Sequence, residues 1–160
     1  MRLIKLFLLS LFFFFVLITA MSLLVPGHIR LSKAINIGST ADSIFHLIQN
    51  REAWKQWHPA FAMAGADSLL AKHQVTIVPV LQTDTLVQVE WQQRGKNPVR
   101  NSWQLHHFPA SDSITLQWFM DFRLQWYPWQ KFSSLFYENT YGNMMQQGLI
   151  NIKTITEKTD

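Results

Sequence analysis

The period at which apolar residues recur changes along this chain, and each change marks an element. Between Leu6 and Val25 there is no period at all. LFLLSLFFFFVLITAMSLLV is twenty residues without a charge, interrupted only by Ser10, Thr19 and Ser22. At about 1.5 Å per residue a helix of this length reaches roughly 30 Å, the thickness of a bilayer's hydrocarbon core. Arg2 and Lys5 precede it and Pro26-Gly27 ends it. A cleaved signal peptide has the same ingredients, and Ile18-Thr19-Ala20 loosely imitates a cleavage site. The apolar run nevertheless continues past Ala20, which favours an uncleaved anchor over residues 1–26 and a globular domain over 27–160. Arg2, Lys5 and the amino terminus favour a cytoplasmic start, although Arg30 and Lys33 lie just beyond the other end. The expected arrangement is a single-pass protein with its domain outside the cytoplasm.

Beyond the anchor, Ile29, Leu31, Ile35 and Ile37 share one parity, as a strand requires, with Lys33 the exception. Gly38 breaks the pattern, Ser39 and Asp42 form a possible capping box, and Ile44, Leu47 and Ile48 then recur at helical spacing up to about Asn50. The stretch REAWKQWHPAF follows, with Trp54 and Trp57 on one side of a short turn that Pro59 prevents from running on. Residues 60–72 have no clean period and read as a loop. From His73 the period is two: Val75, Ile77 and Leu81, with Pro79 marking an edge or a bulge, then Val87, Val89 and Trp91, then Val99, Trp103 and Leu105. After a turn at Pro109–Asp112 comes the clearest strand. Ile114, Leu116, Trp118, Met120, Phe122, Leu124 and Trp126 lie on one face, and Thr115, Gln117, Asp121, Arg123 and Gln125 on the other. One face is dry and the other wet, so the sheet is antiparallel and covered on one side. From about Ser134 the spacing of Tyr141, Met145, Gly148, Leu149, Ile152 and Ile155 is helical and supplies the cover. The pattern predicts an α+β domain in which a curved antiparallel sheet grips a long final helix.

Composition changes this picture little. The net charge of +4 falls to +2 once Arg2 and Lys5 are set aside, and the basic residues are scattered. That excludes a nucleic-acid footprint. No cysteine is present, so neither a disulfide nor a thiol site enters the reading.

Candidate chemistry is sparse. Trp54 and Trp57 could stack on a flat ligand, but aromatic residues at helical spacing more often close a core. His106 and His107 are adjacent on a strand, point to opposite faces and cannot chelate one metal. The parity of Trp103 and Leu105 turns His107 inward, where it could meet a ligand's polar end. His46 and His106 fall on wet faces, Asp121 and Arg123 are expected to pair on the sheet's outer surface, and Glu90 points outward. No paired carboxylates, nucleophile-base spacing, phosphate loop or HExxH motif occurs, so no catalytic residue, metal or cofactor is assigned.

A strand ending in a short polar turn, the helix STADSIFHLIQN, then Trp-x-x-Trp-x-Pro, and the ending YGNMMQQGLINIKTITE together resemble the SRPBCC superfamily. That superfamily has the helix-grip fold of START lipid-transfer domains and polyketide cyclases. The resemblance covers residues 28–158, and it implies a cavity between the sheet and the final helix that often holds an apolar ligand. The residues placed to line it here are Trp91, Trp103, Leu105, His107, Trp118, Met120, Phe122, Met145 and Leu149. The function this implies is a membrane-anchored binding module for an apolar small molecule or lipid. The alternatives are an enzyme resembling the aromatase/cyclase branch, with His107 or Tyr137 assisting proton transfer, and an interaction domain resembling heat-shock-chaperone activators.

Overall fold

A computed structural model describes residues 2–63, 65, 70–108 and 113–159. The chain runs α1 (Arg2–Ser22), β1 (His28–Ile37), α2 (Ala41–Gln49), a one-turn α3 (Trp54–Trp57), β2 (Val75–Gln82), β3 (Leu86–Gln93), β4 (Val99–His107), β5 (Ile114–Arg123), α4 (Pro128–Ser133) and α5 (Asn143–Thr159). The five strands form one antiparallel sheet in the order β1-β5-β4-β3-β2. β1 lies beside β5, the last strand in sequence, so β1 and β2 form the two edges of the sheet. The α+β helix-grip architecture expected from the sequence is the one observed. The part of the 60–72 loop at 64 and 66–69, and the turn at Pro109–Asp112, lie outside the described residues.

The period-two pattern has the consequence it should. In β5, Ile114, Leu116, Trp118, Met120 and Phe122 are all buried, while their alternates are half-buried or exposed. Trp57, Trp103, Trp118, Leu116, Met120, Met145, Leu149 and Ile152 are sealed completely. β2 is an edge strand, and its pairing with β3 shifts register between Pro79 and Leu81. Proline lacks the N–H a ladder needs, so the bulge falls where expected and leaves Leu81 exposed.

Three expectations need correction. Thr40, not Ser39, is the N-cap of α2: its extended backbone lets Oγ1 accept from the Ser43 N–H at 3.3 Å. The regular final helix starts at Asn143 rather than near Ser134. Before it the backbone is helical, but its hydrogen bonding passes through a 3₁₀ turn at Ser134–Phe136 and a π-helical turn at Glu138–Gly142. Asp121 pairs with Arg30 across the β1–β5 ladder, Nε to Oδ1 at 2.6 Å, rather than with Arg123. Direct cross-strand neighbours are closer than residues two apart on one strand.

Trp54 and Trp57 are structural. Their indole N–H groups donate to Ile48 O at 2.6 Å and Leu47 O at 2.8 Å. Those carbonyls lie at the end of α2, where a helix leaves acceptors without intrahelical donors. The rings then pack edge-on against Trp103, at 5.4 and 6.0 Å between centroids. α5 is locked over them by Asn151, whose Nδ2 donates to Trp57 O at 2.9 Å. Gly148 is what permits this approach, because a Cβ there would lie 2.9 Å from Cζ3 of Trp118.

Candidate functional site

The tryptophan layer fills the middle of the grip, and the space left over lies at one end. It is the end where β1 begins and β5 finishes, next to α1. There the concave face supplies Trp91, Met120 and Phe122, and the π-helical turn supplies Tyr141, with Tyr137 just before it, around a cleft of about 320 Å³. That is at the small end of the roughly 300–1,000 Å³ typical of small-molecule sites. Phe122 lies 4.7 Å from Tyr137 and 4.9 Å from Tyr141 between ring centroids, so three aromatic rings form one wall. Val75, Val99 and Leu124 extend the apolar lining, and Gln93, Lys96, Asn97, Arg123 and Gln130 give it a polar, positively charged side. Asn97 fixes one side by donating from Nδ2 to Arg123 O at 2.8 Å. A π-turn is wider than an α-turn and recurs at functional sites. Here it carries Tyr141 into the lining.

Of the residues expected to line a cavity, Trp91, Met120 and Phe122 do so. Trp103, Leu105, Trp118, Met145 and Leu149 are buried core instead. The bulk of the tryptophans is absorbed by packing on one another: Trp118 lies 5.2 Å from Trp103 and 5.8 Å from Trp57. His107 is exposed, although its parity is inward. β3 begins only at Leu86, opposite Gln104, so His107 has no β3 residue beside it, although it still pairs with Ile114 of β5. His106 is half-buried rather than wet, with its Nε2 enclosed.

The polar group that pattern reading passed over is His58. It is fully buried, with ring neighbours Trp54, Trp57, Phe61, Trp91 and Trp118 at 4.8–5.8 Å. Burial pushes its pKa down from 6.5 to about 3, so the ring is neutral at physiological pH. Nδ1 accepts from the Ala60 N–H at 3.2 Å, which assigns the proton to Nε2. Asn101 lies on the neighbouring strand and accepts the Trp118 indole N–H at 3.0 Å. Among the described residues, His58 Nε2, Asn101 Nδ2 and the indole nitrogens of Trp91 and Trp103 have no protein partner. Trp91 therefore joins a donor-rich, apolar interior to the cleft. The sequence signal was a histidine between a tryptophan and a proline, a place with no route to solvent once the turn packs.

The cleft lining contains neither a carboxylate nor a histidine. Burial, and then the neighbouring Tyr137, raise the pKa of the Tyr141 hydroxyl, which keeps it a hydrogen-bond donor. Among the described residues no group of three or more His, Asp or Glu is arranged to hold a metal. The arrangement suits shape and apolar recognition better than proton transfer.

No family model matches the chain, and no curated protein is similar to it in sequence. Solved structures are similar to it in fold. A START superfamily protein from Mycobacterium smegmatis aligns over 84% of this chain and 100% of its own, with a TM-score of 0.56 at 16% identity. The fold is START-like. The di-domain ARO/CYC StfQ of the steffimycin biosynthetic pathway aligns over 82% of this chain and 51% of its own, with a TM-score of 0.60 at 7% identity. The chain thus spans about half of that protein. The protein XoxI from Bacillus cereus aligns over 79% of this chain and 94% of its own, with a TM-score of 0.55 at 9% identity. In this chain the cleft lies between the sheet and the π-helical turn that leads into the final helix.

Outside the domain, α1 is long and apolar enough to cross a membrane, and none of its apolar stretch is buried against the rest of the protein.

Proposed function

We propose that this protein is a membrane-anchored binding module that holds an apolar or amphipathic small molecule in the cleft between β2–β5 and the π-helical turn. The observation that carries the proposal is the lining: aromatic and aliphatic side chains inside, with Lys96 and Arg123 bringing positive charge to one side. A molecule with an apolar body and a polar or anionic end matches both parts. α1 serves as the anchor, and Arg2 and Lys5 favour the arrangement with the domain outside the cytoplasm. The likeness to a START superfamily protein supports a ligand-holding grip.

The test is mass spectrometry of small molecules that co-purify with the full chain, beside Val99→Trp. Val99 is a half-buried part of the lining, directly opposite Trp91 on the neighbouring strand, so an indole there fills the cleft. The expected result is a bound species in the wild type that is lost in the variant. Equal recovery from both rejects the cleft as the site.

A second reading is a cyclase-like enzyme, favoured by the likeness to the ARO/CYC protein and by two tyrosines in the lining. In it the Tyr141 hydroxyl donates to a ligand carbonyl. Turnover of a bound polyketide, abolished by Tyr141→Phe, would place this reading first.

A further inference from the structure

The segment between β5 and α5 is unusual for a domain surface. LQWYPWQKFSSLFY, residues 124–137, contains one charged residue, Lys131. That charge is turned inward: Lys131 is 9% exposed and its Nζ donates to Val25 O at 2.8 Å. The residues turned outward are Trp126, Trp129, Leu135 and Phe136, each between 63% and 66% exposed. Tyr127 stacks on Trp129 with ring centroids 4.8 Å apart and also contacts Trp126, so the aromatic rings form one patch. A soluble surface has no reason to spend four large apolar side chains in one place.

The position of the patch identifies what covers it. α1 packs on α4 and Ser22 is fully buried. Leu124 N donates to Gly27 O at 2.8 Å, which is a second tie. Val25 lies three residues beyond the end of α1, so the carbonyl that Lys131 holds is at most about 10 Å from that end. With α1 spanning, the patch therefore sits close to the headgroup layer, which adds about 5–8 Å to each side of the hydrocarbon core. Tryptophan and tyrosine concentrate at that depth because an apolar ring with a polar edge suits it. Leu23 and Leu24, 70% and 84% exposed, continue the apolar surface from the anchor toward it.

We infer that Trp126, Tyr127, Trp129, Leu135 and Phe136 lie in the interface of the bilayer that α1 crosses, seating the domain on the lipid with its cleft beside the membrane surface. Leu124, Gln130 and Tyr137 belong to this segment and to the cleft lining, so the surface and the site are continuous. The ligand source this assigns is the bilayer itself. The inference rests on the anchor and cleft reading above and adds where the ligand comes from.

The chain has no cysteine, so one introduced thiol labels uniquely. The full chain is reconstituted into phosphatidylcholine vesicles with an environment-sensitive fluorophore at Phe136→Cys, at Leu135→Cys, or at Asp84→Cys. Asp84 is an exposed residue in the β2–β3 turn, at the opposite end of the sheet. Nitroxide placed near the lipid headgroups should quench the first two labels strongly and leave the third unchanged. Equal quenching at all three positions, with the protein still resisting carbonate extraction, overturns the docking and leaves the anchor standing. Labels shielded from aqueous iodide yet untouched by lipid nitroxide mean that a second protein surface covers the patch, which also overturns it. Loss of the protein from the vesicles on carbonate treatment removes the anchor, and the docking with it.

Discussion

Two glycines in the closing helical segment offer a sharp test of how tightly the grip is packed. A Cβ at Gly148 would lie 2.9 Å from Trp118 Cζ3, 3.4 Å from Pro59 Cδ and 3.5 Å from Trp57 Cζ3. A Cβ at Gly142 would lie 2.8 Å from Oε1 and 2.9 Å from Cδ of Glu138. By distance the two are equivalent; by what they strike they are not. Glu138 has a side chain 54% exposed and can swing into solvent, giving up only its surface ion pair with Lys33, worth about 0–1 kcal/mol. Replacing glycine by alanine gains about 1 kcal/mol of helix propensity, so Gly142→Ala should be neutral or slightly stabilising. Trp118 has nowhere to go. It is fully buried between Trp57, Trp103 and His58, and its indole N–H is held by Asn101. Overpacking of that kind costs about 1–3 kcal/mol. Against the propensity gain, Gly148→Ala should come out destabilised by about 0–2 kcal/mol. For a chain of this size that is a fall of up to about 8 °C in melting temperature. The assay is thermal unfolding of the full chain followed by near-ultraviolet circular dichroism, which reads the tryptophan layer directly. Gly148→Ala melting above the wild type, or below it by less than Gly142→Ala, would refute the claim of a solid middle.

Other outcomes follow from the same geometry. Trp118→Ala should cost about 3–5 kcal/mol, because it opens a void in a filled layer and strips Asn101 of its donor; chemical denaturation measures it, and a loss under 2 kcal/mol would mean that the layer is not filled. His58 stays neutral when folded, with a pKa of about 3 against 6.5 when unfolded, so the unfolded chain takes up the extra proton between those values and stability declines as pH drops below 6.5. The decline should approach about 2 kcal/mol by pH 5, and a pH series of melts should show it flattened in His58→Phe. His46 is exposed, so His46→Ala should change stability by no more than about 0.5 kcal/mol; a larger loss in the same melts would show that its role has been misread. Met120→Arg, which buries a charge at the inner end of the cleft, should abolish any stabilisation that fatty acids give the wild type, read by thermal shift.

The strands were legible because a half-covered sheet writes its two faces into alternate residues, and β5 could be read almost position by position. The location of the space was not. Alternation says which side chains point inward, but not whether they meet each other or a void. Trp103 and Trp118 looked like cavity lining and proved to be packed on each other, since only the three-dimensional convergence of α3 with β4 and β5 decides it. His107 had the right parity, and its exposure goes with β3 beginning only opposite Gln104, a fact of register. The π-helical turn left no periodic signature either: five residues of altered hydrogen bonding are too few to shift a 3.6-residue pattern. His58 stayed hidden because one histidine beside aromatic residues has no period at all.

The two hydrogen bonds that bracket Pro26, Lys131 Nζ to Val25 O and Leu124 N to Gly27 O, remove the leash from this protein. A domain on a free linker sweeps a volume set by the linker's length and can reach toward a second membrane. This one has no such radius. With α1 in a bilayer as proposed, the domain turns only as α1 turns, so exchange with anything distant requires the other party to travel. Helices answer a thinner or thicker bilayer by changing tilt, and here the change of tilt would pass undiminished to the cleft. Lipid chain length should therefore alter how deeply the Phe136→Cys label sits, and Lys131→Met, which cuts one tie, should weaken that dependence.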